Sequence, residues 1–301
     1  MNRAHRFPGW ALAAVIAAAA TTLIAGCGST TENGGAGGTA TPSGSIASTT
    51  ASPASPSSPS QAAPRSTSAP TPSVSVYFYS KLAHGRLAAL PRTAAGTAVL
   101  DQSTRALLDG PTGDERDTGM SSQVPSGAKL HEATLDHGIA SLELTGSSAA
   151  WNDAALAQIV FTATQFPSVR GVRVEVDGHD VAPASGPADH PLTRADFEYF
   201  SPQVLVESPL YGQTIHSPAR IVGTANTFEA AFNVEITDWD GRIVASQGAM
   251  ATSGSGTRGT FDITVPYTVD RAGLGELISF VYSAKDGSRI VISETPIFVA
   301  P

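Results

Sequence analysis

From residue 74 onward, apolar residues fall into short periodic runs separated by turn residues. Val74-Ser75-Val76-Tyr77-Phe78-Tyr79 is a β-branched and aromatic run that predicts a strand. A helix is expected from Gln102 to Asp109, with Ala106 and Leu107 inward, and Gly110-Pro111 stops it. Leu135 precedes the turn Asp136-His137-Gly138, after which Ala140, Leu142 and Leu144 alternate with Ser141 and Glu143, the two-residue period of a half-buried strand. Leu156, Ile159, Val160 and Ala163 fall at i, i+3, i+4 and i+7 and predict a second helix over Asn152 to Gln165, ended by Phe166-Pro167. Val172, Val174 and Val176 alternate with Arg173 and Glu175, and Asp177-Gly178 turns the chain into a short strand at His179 to Val181. The expected architecture over 74–185 is α+β, with two helices on one mixed or antiparallel sheet.

A Pro-, Gly- and Ala-rich break at Pro183 to Pro191 places a linker over 186–202. Beyond it the pattern predicts strands alone: Gln203–Val206, Arg220–Ala225, Glu229–Thr237, Ile243–Ala249, Gly259–Val265, Leu277–Ala284 and Arg289–Phe298. Ala230, Phe232, Val234 and Ile236 form one inward row, Phe261, Ile263 and Val265 another, and Asp286-Gly287 is a hairpin turn. Seven strands in this span predict an all-β immunoglobulin-like sandwich over 203–301. It must be of the disulfide-free kind, because Cys27 is the single cysteine of the chain.

That cysteine changes the picture at the other end. Arg3, His5 and Arg6 precede an apolar run from Trp10 to Ile24, the layout of a secretory signal. Ile24-Ala25-Gly26-Cys27 then resembles the bacterial lipobox, two small residues after an aliphatic one and before a cysteine. The resemblance implies a signal peptide over 1–26, cleavage between Gly26 and Cys27, and a diacylglycerol thioether (with palmitate-type acyl chains) on Cys27. Residues 27–73 are mostly Gly, Ser, Thr, Ala and Pro, with Glu32 and Arg65 the only charges and Ile46 the only large aliphatic residue, too little apolar surface to bury a core, and are expected to form a disordered tether. The protein is therefore expected on the extracytoplasmic face of the cell membrane, held there by lipid. Its formal charge of −8 becomes −10 once Arg3 and Arg6 leave with the first 26 residues, which hold no Asp or Glu. An acidic chain of this kind is a poor match for nucleic acid, whose affinity rests on Lys and Arg at the phosphates.

Longer strings carry a further resemblance. LLDGPT at Leu107–Thr112, the stretch Gln158–Gly178 and PLTRADF at Pro191–Phe197 resemble the GerMN domain of sporulation and spore-germination lipoproteins. Val206–Phe232 and Phe280–Ile290 resemble the immunoglobulin-like domain of bacterial spore germination. The tandem on a lipoprotein is similar to actinobacterial envelope proteins. It implies no established catalytic residues and, by analogy with ring-building domains, a part in protein assembly.

Candidate chemistry is sparse. No Gly-x-Ser-x-Gly elbow occurs, and Ser253-Gly254-Ser255-Gly256 lacks the lysine of a phosphate loop, so it is expected to be a flexible loop between strands. His131 with His137, and His179 beside Asp177 and Asp180, fall at turns where solvated polar residues are usual, and neither set is assigned as a metal site. Trp239, between Asp238 and Asp240, is either an exposed anchor for a partner or a ring folded back over the sandwich edge. Glu198-Tyr199-Phe200 is either a contact surface or packing between domains. No catalytic, cofactor or metal residues are assigned. The function expected is a non-enzymatic binding or assembly module of the cell envelope, whose partner is an envelope protein or cell-wall component. The alternative is a peptidoglycan-active enzyme or its accessory.

Overall fold

A computed structural model describes residues 73–147, 150–184, 186 and 189–301, all within one compact unit. Gly26, Cys27 and the segments expected to form the leader and the tether, through residue 72, lie outside the described residues. Ser73, placed at the end of the tether, opens the first strand.

The first domain runs β1 (Ser73–Ser80), a 3-10 turn (Lys81–Ala83), β2 (Arg86–Thr93), α1 (Val99–Leu108), α2 (Gly113–Asp117), β3 (Met120–Ser121), β4 (Lys129–Asp136), β5 (Ile139–Thr145), α3 (Asp153–Ala163), β6 (Gly171–Val176) and β7 (His179–Asp180). The single sheet expected here is corrected: among the described residues these strands form two sheets, ordered β2-β1-β3 and β4-β5-β6-β7. The reason lies at one edge of β1. β2 pairs with β1 along its whole length, whereas β3 covers Tyr79 and Ser80 alone on the other side. Side chains of α3 and the residues after it take the place of a strand there. Gln165 bonds both the N–H and the carbonyl of Ser75 at 2.6 Å, Gln158 donates to the Tyr77 carbonyl at 2.8 Å, and Thr162 Oγ1 accepts from the Tyr77 N–H at 3.2 Å. Backbone groups satisfied in this way have no need of a neighbouring strand.

α3 is also the crossover that lets β5 and β6 run parallel. Its residues from Ala155 to Ala163 are all buried, so the 3.6-residue row seen in the sequence is one side of a helix enclosed on most sides. α1 starts at Val99, three residues before the expected Gln102, and puts Leu107 in the core as expected. α2 was not anticipated; a capping box between Thr112 and Glu115 sets its first turn.

The second domain contains β8 (Val204–Ser208), β9 (Thr214–Ile215), β10 (Ala219–Ala225), β11 (Ala231–Thr237), β12 (Ile243–Met250), β13 (Gly259–Val265), β14 (Gly273–Tyr282) and β15 (Arg289–Val299). They form two facing sheets, β13-β10-β8 and β12-β11-β14-β15-β9. Phe232 and Phe261 meet between the sheets with ring centroids 4.8 Å apart. β9, two residues running parallel to the end of β15, lacked a periodic signal and adds an eighth strand to the seven expected.

Residues between the domains are packed. Leu192 bridges to Val172 of β6, and Phe197, in a 3-10 turn over Arg194–Phe200, is 1% exposed within the first core. Leu205 and Leu210 of the second domain join that same cluster.

Candidate functional site

Two polar clusters stitch the domains where these apolar residues meet. In the first, Arg194 donates to Glu207 Oε1 at 2.8 Å, to Thr164 Oγ1 at 2.9 Å and to the Tyr77 hydroxyl at 3.2 Å, and the Tyr77 hydroxyl itself donates to Glu207. The guanidinium lies over the ring of Phe161, 4.9 Å from its centroid. Burial, then the Glu207 charge, pushes the Tyr77 phenol well above its ordinary range, so it stays protonated as the donor. In the second cluster, Arg258 grips Glu198 through Nε and Nη2 at 2.8 and 2.9 Å, and Asn226 donates to the same carboxylate at 2.9 Å. Burial alone would raise the Glu198 pKa, but the Arg258 and Asn226 hydrogen bonds outweigh it and hold the carboxyl below the usual glutamate range.

Beside the second cluster, the seam opens into a cleft of about 780 Å³. His84 comes from the β1–β2 turn, Arg86 from the start of β2, Tyr199 from the segment between domains, Thr227 and Phe228 from the turn before β11, and Ile290 to Ile292 from β15. Tyr199 and Phe228 are each 73% exposed. The Arg86 guanidinium lies 4.0 Å from the Tyr199 ring centroid and also donates to the Tyr199 carbonyl. His84, at a positive φ of 52° beside Gly85, sets its Nε2 2.9 Å from the Val291 carbonyl. Thr227 is 3% exposed, and its Oγ1 has no hydrogen-bond partner among the described residues.

The sequence candidates divide. Glu198-Tyr199-Phe200 combines both roles considered: Glu198 is ion-paired, Phe200 packs against Tyr79 with centroids 6.2 Å apart, and Tyr199 faces the cleft. Trp239 folds back. Its Cβ would stand 2.5 Å from a Cβ added at Gly273, and Arg271 covers its ring 3.3 Å from the centroid, leaving the residue 39% exposed. His137 is exposed next to Asp136, and His179 Nδ1 bonds the Asp177 carbonyl at 3.0 Å. Among the described residues no group of three or more His, Cys, Asp or Glu is placed to hold a metal ion. The Ser253–Gly256 loop, expected to be free, is tied to the turn before β11: Ser255 N–H donates to the Thr227 carbonyl at 2.9 Å and Ser255 Oγ accepts from Glu229 N–H at 3.0 Å. His84, Arg86, Thr227, Phe228 and Arg258 escaped the sequence reading, because each is an isolated polar or aromatic residue at a strand end or turn.

With this geometry in place, comparison with known proteins defines the class. Residues 75–182 match the family described as sporulation and spore germination, and residues 203–288 match the immunoglobulin-like domain of bacterial spore germination. The chain thus carries a GerMN domain followed by an immunoglobulin-like domain and is related to bacterial sporulation and germination proteins. Among solved structures it is similar to the first GerMN domain of the sporulation protein GerM from Bacillus subtilis, at 19% identity over 41% of this chain and 98% of that one, with a TM-score of 0.35. The tandem GerMN domains of the same protein align at 13% identity over 76% of this chain and 61% of that one, with a TM-score of 0.37. A putative lipoprotein from Clostridium perfringens aligns at 21% identity over 41% and 88%, with a TM-score of 0.28. No curated protein matches.

Proposed function

We propose that the protein is a lipid-anchored binding module of the bacterial envelope, tethered to the outer face of the cytoplasmic membrane through Cys27 and recognising an envelope component at the seam between its two domains. The lipobox at Ile24–Cys27 supports the anchor, with a signal peptide over 1–26 and a tether over 27–72. Among the described residues no helix is long and apolar enough to cross a membrane. The observation that carries the recognition role is the cleft. Domains joined by shared apolar packing and two ion-pair clusters hold its walls in fixed relation, which lowers the ordering cost of binding. Glu198 is the one carboxylate among its lining residues, and Arg258 keeps it ionised. A group held in that state is suited to binding and cannot serve as the general acid that glycan hydrolysis needs.

The test is site-specific crosslinking in intact cells, with a photoreactive residue at Phe228 in the cleft or at Arg220 on the exposed β10–β13 face. Adducts from position 228 and none from position 220, with the protein in the membrane fraction, are expected. Equal yields from both positions, or a soluble protein, would overturn the proposal.

A further inference from the structure

Three depressions along the seam share walls. The central cleft has His84, Arg86 and Tyr199 in common with a hollow of about 370 Å³ that reaches Gln123 and Ala154 of the first domain. On its other side it shares Glu198, Gly256 and Arg258 with a hollow of about 340 Å³ that reaches Arg194 and Thr257. Common walls make these one groove, longer than a single compact ligand requires.

We infer that this groove binds an acidic glycan, a chain of sugar rings bearing carboxylate or phosphate groups; the inference rests on the proposed role as an envelope-binding module and names its ligand class. Tyr199 and Phe228 supply flat apolar surfaces largely open to solvent, onto which the C–H faces of sugar rings can stack. Hydroxyl-rich ligands also need polar partners, and the exposed Gln203 side chain lining the cleft supplies both a donor and an acceptor.

Charge selects the acidic form. Arg258 and Glu198 satisfy one another, which leaves Arg86 as a guanidinium held by an aromatic face and a carbonyl and in no ion pair among the described residues. A cation at the mouth of a groove on an acidic chain focuses a positive potential at that point. A peptide fits less well. Extended peptides bind by adding to a strand edge, and where β15 lines the cleft its Val291 carbonyl is already taken by His84.

The experiment is a titration of the purified full-length protein in detergent, followed by calorimetry, with four probes of matched length. These are carboxylate-bearing muramic-acid glycan strands, a phosphate-bearing polyol chain, neutral N-acetylglucosamine oligomers and a poly-glutamate peptide. One or both anionic polymers should bind at least tenfold more tightly than the neutral oligomer, and the pair of anionic arms distinguishes carboxylate from phosphate. Arg86→Gln should abolish that preference and make binding less dependent on salt than the parent's. Phe228→Ala, which removes an exposed ring and leaves both cores intact, should weaken every glycan tenfold or more, while Arg220→Gln should change nothing. Equal affinity for neutral and anionic glycans, preference for the peptide, absence of glycan binding, or indifference to Phe228→Ala would each overturn the inference. Loss of glycan binding with crosslinking at position 228 preserved would leave the binding-module role standing and remove this ligand class alone.

Discussion

Arg194 and Glu207 meet at 2.8 Å across the domain seam, with about a fifth of each side chain still exposed. One belongs to the segment between the domains and the other to β8, the first strand of the sandwich. The pair therefore converts what composition marks as a linker into part of the folded body. Replacing Arg194 by Met strands the Glu207 carboxylate beside Tyr77 and should cost roughly 2–4 kcal/mol, somewhat under the figure for a fully buried pair. Arg220→Met, which breaks the exposed pair with Asp262 at 2.6 Å, should leave the midpoint nearly unchanged, because solvent and salt screen that pair. Urea unfolding of both variants checks the contrast, and equal midpoints would refute it.

Glu198 gives a pH dependence whose sign is fixed. Its folded-state pKa lies below the unfolded one, so the unfolded chain takes up a proton first as the solution is acidified. The stabilisation is whole above the unfolded glutamate value, about 4.3, and is lost as pH falls through the folded value. Thermal unfolding between pH 7 and pH 3 should show this decline, with a shallower slope in Glu198→Gln. Glu115, held down against its own burial by hydrogen bonds from Arg92 and Thr112, contributes in the same direction. An unchanged slope in the Gln variant would mean that other carboxylates govern the acid limb.

The sandwich was legible in the sequence because its strands alternate: Phe232, Val234 and Ile236 face one core and the polar residues between them do not. The two-sheet arrangement of the first domain was not, since it depends on Gln158, Thr162 and Gln165 bonding to a strand more than 80 residues away. No local pattern encodes such a pairing. The groove was hidden for a related reason: His84, Tyr199, Phe228 and Arg258 are distant in sequence and meet because Leu205 and Leu210 pack into the first core. Turn chemistry was readable at Asp136-His137-Gly138, where His137 and Gly138 adopt φ of 48° and 86°.

Gly254 offers a local test of the cleft wall. A Cβ there would lie 2.4 Å from the Ala230 nitrogen and 2.5 Å from the Thr227 carbonyl oxygen, and backbone atoms cannot swing aside as a flexible side chain can. Gly254→Ala should therefore displace the turn carrying Thr227 and Phe228 and cost about 1–3 kcal/mol. Gly248→Ala, whose nearest neighbour would be Asn233 Oδ1 at an ordinary 3.6 Å, should fold with unchanged or slightly raised stability. Denaturant midpoints measure the difference, and chemical-shift changes centred on Thr227 locate it. Tolerance of Ala at 254 equal to that at 248 would show that the wall is soft.

The anchor is the most direct prediction, because a single atom decides it. The apolar run from Trp10 to Ile24 ends at Ala25-Gly26-Cys27, and no other cysteine in the chain could compete for the lipid. Two or three acyl chains would hold the protein almost permanently, since each buried methylene adds about 0.8 kcal/mol to membrane affinity. Mass spectrometry of the mature N-terminus should find Cys27 as the first residue, carrying diacylglycerol, and Cys27→Ser should move the protein out of the correctly processed membrane fraction. Limited proteolysis of the purified protein should cut between Gly28 and residue 72 before it cuts either domain, leaving fragments that begin near Ser73. An unmodified peptide reading through Gly26-Cys27-Gly28 in the mature protein would exclude both cleavage and lipidation, and with them the membrane attachment on which the envelope role depends.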